Sequence, residues 1–385
     1  MASGTDDVAH RPRSREAYES LRPTRAEVDL GALAHNMEAI RRAADGVRVL
    51  AVVKADAYGH GVVPVAGRLA AEGAVGFGVA LAEEGIELRE AGITAQVLIL
   101  NGVYGGAHRD VLAARLTPVV YDIDTVAAFQ RAARGRRFGF HLKVDTGMSR
   151  LGVPVSALDA FLDALEGFPR ARIDGVMTHL ASADEDPEFT ALQLSRFRVA
   201  LEGIRRRGHE PSLVHAANTA AVLRHPDARF DMVRAGIALY GVMPVPGPPI
   251  GLRPVMSLRS EIIALRDLVP GDTVGYGRTF ATGRACRLAT VPVGYGDGLM
   301  RSVSNRGAVL VRGRRCPVVG RVSMDLTAVD VTEVPEVAVA DEVVLLGEQG
   351  QERIDADEVA RAAGTIAYEV LTNVSRRVPR FYRSG

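Results

Sequence analysis

The chain has 385 residues, the length of two or three domains at roughly 150 residues each, with ample material for a large core. Its 47 basic and 46 acidic side chains leave a formal charge of +1, so no strong field invites nucleic acid or an anionic membrane; the expected partner is a small molecule or another subunit. Hydrophobic content of 47% without an apolar run of roughly 18 residues reads as a soluble protein, Cys286 and Cys316 are too few for a disulfide scaffold, and an N-terminus lacking an apolar stretch predicts the cytoplasm.

Residues 1–22 mix Ser, Asp, Arg and Pro without periodicity and read as a disordered tail. Asp29 is placed to cap a helix in which Leu30, Leu33, Met37 and Ile40 recur at helical spacing. Strand-like runs follow at 47–53, 75–79, 97–100, 118–121, 138–144, 173–179, 212–216 and 230–235, and amphipathic stretches at 81–91, 123–134, 155–165 and 187–207 lie between them. Eight strands alternating with helices predict a parallel (β/α)₈ barrel, with an open doubly wound sheet as the alternative; no Gly-x-Gly-x-x-Gly follows an early strand to favour the latter. After the Pro- and Gly-rich linker at 244–249 come short apolar runs at 262–265, 289–293, 308–311, 318–319, 326–331 and 342–346, which predict a mostly β second domain. The expected division is therefore a tail at 1–22, a barrel at 23–245 and a C-terminal β domain at 246–385. All nine histidines lie at or before His225 and no cluster has metal-ligand spacing, so no catalytic metal is expected.

Of the 47 basic residues only two are lysines, Lys54 and Lys143, against 45 arginines. Lysine can lose its proton and act as a nucleophile, whereas arginine stays charged, so these two positions are candidates for chemistry that arginine cannot perform. Lys54 ends the first strand run, and the C-terminal strand ends of a barrel carry its active site. An amine partly desolvated there can form a Schiff base with an aldehyde or ketone; the plain alternative is a surface lysine at a strand end. Asn218 and Thr219 follow the seventh strand, and Gly236 and Ile237 the eighth, where barrels recurrently bind phosphate. A phosphorylated aldehyde cofactor would satisfy both features. In the second domain Tyr276 and Tyr295 each sit in a Gly-Tyr-Gly loop, where a phenol can serve as a proton donor or acceptor.

The stretch Ala51-Val-Val-Lys-Ala-Asp-Ala-Tyr-Gly-His-Gly61 resembles the cofactor-lysine motif of alanine racemases dependent on pyridoxal 5′-phosphate. In the same order come Lys143-Val-Asp-Thr-Gly-Met-Ser-Arg-Leu-Gly152, His215-Ala-Ala-Asn-Thr-Ala220, Arg234-Ala-Gly-Ile-Ala-Leu-Tyr-Gly241, Val274-Gly-Tyr-Gly-Arg-Thr279, Gly294-Tyr-Gly-Asp-Gly298, Gly320-Arg-Val-Ser-Met-Asp325 and Tyr368-Glu369. The resemblance spans about residues 23 to 382, and Ser323 stands where many relatives carry cysteine. It implies a barrel with a C-terminal β domain, assembled as a homodimer whose active sites are shared across the interface. By the same resemblance Lys54 holds pyridoxal phosphate; Tyr58, Thr219, Gly236, Ile237 and Tyr368 surround its phosphate; and His179 and Asn218 join the cofactor set. Arg234 faces the pyridine nitrogen, and Arg150 the cofactor oxygen and the substrate. Tyr276, Tyr295 and Met324 enter from the other subunit, and Lys143 occupies a position often N-carbamylated.

The implied reaction interconverts L- and D-alanine for peptidoglycan. Lys54 and Tyr276 act as the two bases, on the D and L faces respectively. Three rivals remain. A cofactor-independent racemase would need Cys286 and Cys316, which lie in apolar, core-like segments. A decarboxylase of the same fold would prefer a carboxylate opposite the pyridine nitrogen, where Arg234 stands. A non-catalytic pyridoxal-phosphate carrier would not need Tyr276.

Overall fold

A computed structural model describes residues 22–246 and 250–384. The tail expected at 1–22 therefore lies, apart from Arg22, outside the described residues, as do positions 247–249 of the linker. The chain divides into two units, and the division is not a single cut: 28–256 form one unit together with 366–372 and 382–384, while 22–27, 257–365 and 373–381 form the other.

In the first unit the eight strands are Arg48–Val52, Gly76–Val79, Gln96–Ile99, Thr117–Val120, Phe138–Asp145, Ala171–Met177, Leu213–His215 and Met232–Ala235. They pair in parallel in chain order, and the eighth returns to the first with Met232 opposite Arg48 and Ala235 opposite Ala51. Gly76–Val79 and Met232–Ala235 are buried along their whole length, which is why these strands read as unbroken apolar runs rather than alternating ones. Between the seventh and eighth strands single bonds replace a ladder, Asp231 N–H to Val214 O at 3.0 Å and Arg234 N–H to Ala217 O at 3.0 Å, so the barrel is nearly closed.

The helices Leu30–Ala43, Ile123–Ala132 and Pro187–Arg206 begin at Asp29, Asp122 and Asp186, whose carboxylates accept from Ala32, Thr125 and Phe189 N–H. The helix expected over 155–165 opens with a 3₁₀ turn, Val155–Ala157, before Leu158–Leu165.

The second unit is mostly antiparallel β. Its largest sheet runs Arg314–Pro317, Ala308–Val311, Glu342–Gln349, Met256–Glu261, Arg25–Asp29, Arg380–Arg383, and a three-stranded sheet joins Ala264–Leu268, Cys286–Val291 and Thr327–Asp330. Two expected strands differ. The run at 262–265 straddles a crossing: Ile262 bonds residues 340 and 341, Ile263 N–H bonds Thr290 O, and the strand begins only at Ala264. Val318 forms an isolated bridge to Val329, so 318–319 is no strand. Met256–Glu261 escaped notice because the polar Ser260 occupies a core position, fully buried and satisfied by Thr24 Oγ1 at 3.0 Å.

Candidate active site

The first barrel strand delivers Lys54 through an unusual turn. Ala55, Asp56, Ala57 and Tyr58 have φ of 54°, 54°, 52° and 53°, a left-handed run that disfavours L-residues by roughly 1–2 kcal/mol each. Its bonds hold it there. Ala57 N–H donates to Val53 O at 2.9 Å, Gly59 N–H to Ala55 O at 2.9 Å, and Val62 N–H to Asp56 Oδ1 at 2.8 Å. Glu84 braces the same turn, accepting from Ala55 N–H at 2.6 Å while its other oxygen accepts from Ala80 and Leu81 N–H at 2.7 and 3.1 Å. The result places Lys54 and Tyr58, four residues apart, on one pocket.

That pocket has a volume of about 180 Å³. It gathers the residues read from the sequence: Lys54, Tyr58, Lys143, Arg150, His179, Asn218, Thr219, Arg234, Gly236, Ile237 and Tyr368 all line it. Sequence reasoning missed Asn101, Met177 and Asp184, which carry no motif. Four cations face one carboxylate, Asp184, in this lining, so the cavity is electrostatically built for an anion. Burial, then Arg150, pulls the Lys54 amine below the ordinary lysine range, while Glu84 opposes. Lys143 falls to about 8 through burial first, then Arg234 and Arg150.

At one end of the pocket Gly236 N–H donates to Thr219 Oγ1 at 2.9 Å. A Cβ on Gly236 would stand 2.7 Å from the Tyr58 hydroxyl oxygen, so only glycine leaves this cradle open. Tyr58 stacks on Tyr240 at 4.7 Å, and Tyr240 O–H donates to Val52 O at 3.0 Å, which fixes the phenol from behind. Burial raises the Tyr58 pKa and takes Tyr368 to about 12, so both remain hydroxyl donors at neutral pH.

Arg234 is buried and its Nη hydrogens are used within the barrel: Nη1 donates to His215 Nδ1 at 3.0 Å and His215 O at 3.1 Å. Nη2 has Thr178 O, Ala216 O and His179 Nδ1 at 3.0, 3.0 and 3.2 Å. Nε–H has no acceptor within hydrogen-bond distance among the described residues. Burial lowers the guanidinium to about 10, still a cation and a donor at pH 7.

Tyr276, Tyr295 and Met324 belong to the other unit, are 72%, 44% and 52% exposed, and do not line the barrel pocket. Their loops adjoin: Tyr295 N–H bonds Ser323 O at 3.0 Å and Gly296 N–H bonds Met324 O at 2.9 Å, while a Cβ on Gly275 would meet Arg321 N at 3.4 Å. Cys286 and Cys316 are buried, free thiols, and burial carries Cys316 up to about 11, which removes a thiolate pair as a source of proton transfer.

The same chain matches two family descriptions end to end, the alanine racemase N-terminal domain over residues 28–244 and the alanine racemase C-terminal domain over 255–382. Alanine racemase of Sorangium cellulosum is 48% identical, covering 94% of this chain and 100% of that protein; that of Symbiobacterium thermophilum is 45% identical, covering 94% and 98%. Among solved structures, alanine racemase from D-cycloserine-producing Streptomyces lavendulae superposes with a TM-score of 0.90 at 36% identity, covering 95% of this chain and 98% of that one. The Bacillus anthracis enzyme with bound L-Ala-P gives 0.88 at 36% identity, covering 94% and 96%. By its sequence along both domains and by its fold, the chain belongs to the alanine racemase family, and it is an enzyme that racemises alanine.

Proposed function

We propose that racemisation proceeds by two bases on pyridoxal 5′-phosphate held by Lys54, in a homodimer whose sites are completed across the interface. The observation that carries this reading is the desolvated Lys54 amine in a pocket that also holds Arg150 and Arg234, with an open glycine cradle beside it. A phosphorylated aldehyde fits such a donor set. The phosphate would lie on Tyr58 and Tyr368 hydroxyls, Thr219 and the Gly236–Ile237 backbone, with His179 and Asn218 beside the ring. When bound, the cofactor withdraws electrons from the substrate Cα and makes its proton removable.

The chain does the rest. Arg234, a donor without a lone pair, would face the ring nitrogen and could not hold a proton on it, as a carboxylate there would. Arg150 and the Met324 backbone N–H hold the substrate carboxylate, with Tyr295 closing the substrate side. Lys54 Nζ exchanges a proton with the D face and the Tyr276 phenol with the L face. Tyr276, Tyr295 and Met324 reach the barrel pocket of the second subunit, a role supported by their exposure. The D-alanine formed serves peptidoglycan synthesis in the cytoplasm; among the described residues no helix is long and apolar enough to cross a membrane.

Borohydride reduction of the purified protein followed by peptide mapping tests the assignment. The expected result is loss of absorbance at about 420 nm and label on the Lys54 peptide. Label on Lys143, or on no lysine, overturns it.

Lys143 is proposed to be carbamylated: its neutral amine adds to CO₂, a N–C bond forms, and one proton leaves to solvent. The resulting anion orients Arg150. A pKa near 8 leaves about a tenth of the amines neutral at pH 7, far more than for an ordinary lysine. Intact mass should show the added CO₂. In CO₂-free buffer the sign of the linkage is also set. Between about 8 and 10.5 the unfolded chain keeps a proton on Lys143 that the folded chain has lost, so stability gains with rising pH across that window. The stability deficit of wild type relative to Lys143→Gln should shrink over it in denaturant titrations, and a deficit independent of pH would refute the depressed pKa.

A further inference from the structure

Behind Arg234 stand two histidines that the proposed reaction does not use. His215 ends the seventh barrel strand, His141 lies within the fifth, and both are fully buried. His215 Nδ1 is 3.0 Å from Arg234 Nη1, and His215 Nε2 is 2.8 Å from His141 Nδ1. His141 Nε2 in turn lies 3.5 Å from Gln96 Nε2, which is 3.4 Å from Thr117 Oγ1.

The proton positions along this line follow from one end. A guanidinium offers only hydrogens, so His215 Nδ1 must present its lone pair and the ring hydrogen must sit on Nε2. That hydrogen faces His141 Nδ1, which must therefore be unprotonated, leaving the His141 hydrogen on Nε2. For Gln96 to accept that hydrogen its amide must be turned end for end from the placement that sets Nε2 there, so that Oε1 accepts from His141 Nε2 and from the Thr117 hydroxyl. Reversing any one ring would set two N–H groups, or two lone pairs, against each other inside the barrel.

We propose that His141 is a positioning residue: by accepting the His215 Nε2 hydrogen it locks His215 in one tautomer, and so preserves the Nδ1 lone pair that aims Arg234 at the cofactor. The inference rests on the reading that Arg234 faces the cofactor's ring nitrogen. Two further features favour it. Burial brings His141 down to about 4 and His215 well below the ordinary histidine range, with Arg234 acting in the same direction and Asp174 opposing it at His141, so neither ring charges at neutral pH. The neighbouring strand also makes room for the ring. Gly175 pairs with His141, and a Cβ there would lie 2.6 Å from His141 Nδ1 and Cε1; the register of the two strands slips at this point, between Phe140 and His141.

The test is imidazole ¹⁵N–¹H NMR on the holoenzyme, combined with kinetics of two variants. In wild type, His215 and His141 should each show a protonated Nε2 and a bare Nδ1. His141→Leu, which removes the acceptor, should let His215 populate its other tautomer and lower kcat about tenfold, the effect of one buried hydrogen bond, with the KM for alanine changed less than about twofold. His141→Asn, whose Oδ1 can stand where Nδ1 stood, should recover most of kcat and restore the His215 tautomer. A protonated His215 Nδ1 in wild type overturns the proposal. So does a His141→Leu enzyme with unchanged kcat and tautomer, or a His141→Asn enzyme no better than His141→Leu. If His141→Leu fails to fold, the wild-type spectrum and His141→Asn decide. Loss of the cofactor band from wild type would instead strike at the cofactor reading, which keeps the two failures apart.

Discussion

Mixing Lys54→Ala chains with Tyr276→Phe chains, each nearly inactive alone, restores racemisation to roughly a quarter of the wild-type sites at equal mixing, because half of the dimers are mixed and each holds one intact site. The intact site pairs the barrel of the Tyr276→Phe chain, which retains Lys54, with the Tyr276 loop of its partner. Lys54→Ala removes both the covalent anchor and a base, so its own loss should reach at least about 10⁴-fold, the upper end for a proton-transfer group. Recovery should follow the kinetics of subunit exchange and be absent when exchange is blocked by cross-linking. If exchange is demonstrated with tagged chains and activity stays at the level of the separate variants, each site is complete within one chain. The observation that motivates this test is the division of labour between units: the described residues that line the cationic pocket belong to the barrel unit, while Tyr276, Tyr295 and Met324 stand exposed on adjoining loops of the other.

Much of this site was legible because barrel architecture turns sequence order into spatial order. Buried parallel strands read as apolar runs, and residues just beyond their ends converge on one face, which is how Lys54, Thr219 and Gly236 meet although they are far apart in sequence. Lysine scarcity singled out Lys54 and Lys143 before any geometry was known. What stayed hidden depends on bonds between distant elements or on backbone angles. Lys-Ala-Asp-Ala-Tyr has helix-forming composition, and nothing in it announces four left-handed residues; the brace is Glu84, 29 residues from the Ala55 amide it holds. His141 and Gln96 look like misplaced polar residues in strands until their mutual hydrogen bonds are seen. In the second unit, short strands with polar inward positions such as Ser260 break the alternation that identifies a sheet. The family resemblance put Tyr368 at the phosphate, but the division expected at 245/246 left 366–372 in the C-terminal domain, and no periodicity signals its return to the barrel unit.

Tyr276→Phe should separate the two faces of the reaction. With the phenol gone, exchange of the Cα hydrogen of L-alanine with solvent deuterium slows by about 10²–10⁴-fold, while exchange from D-alanine slows much less, because Lys54 still serves that face. Two independent bases predict this asymmetry, and a single base visiting both faces predicts equal slowing. Uniform loss would mean that Tyr276 shapes the pocket without moving a proton. The enantiomers have equal free energy in water, so every active variant must still end at a racemic mixture, and the end point serves as an internal control on enzyme integrity. Net racemisation needs both faces and must fall with the slower one, so overall turnover cannot tell which face was damaged. Face-resolved exchange can, as can a substrate isotope effect: in Tyr276→Phe the deuterium effect should grow for L-alanine, where proton abstraction now limits the rate, and stay near its wild-type size for D-alanine exchange. A larger effect on the D side alone would reverse the assignment of Lys54 and Tyr276 to their faces.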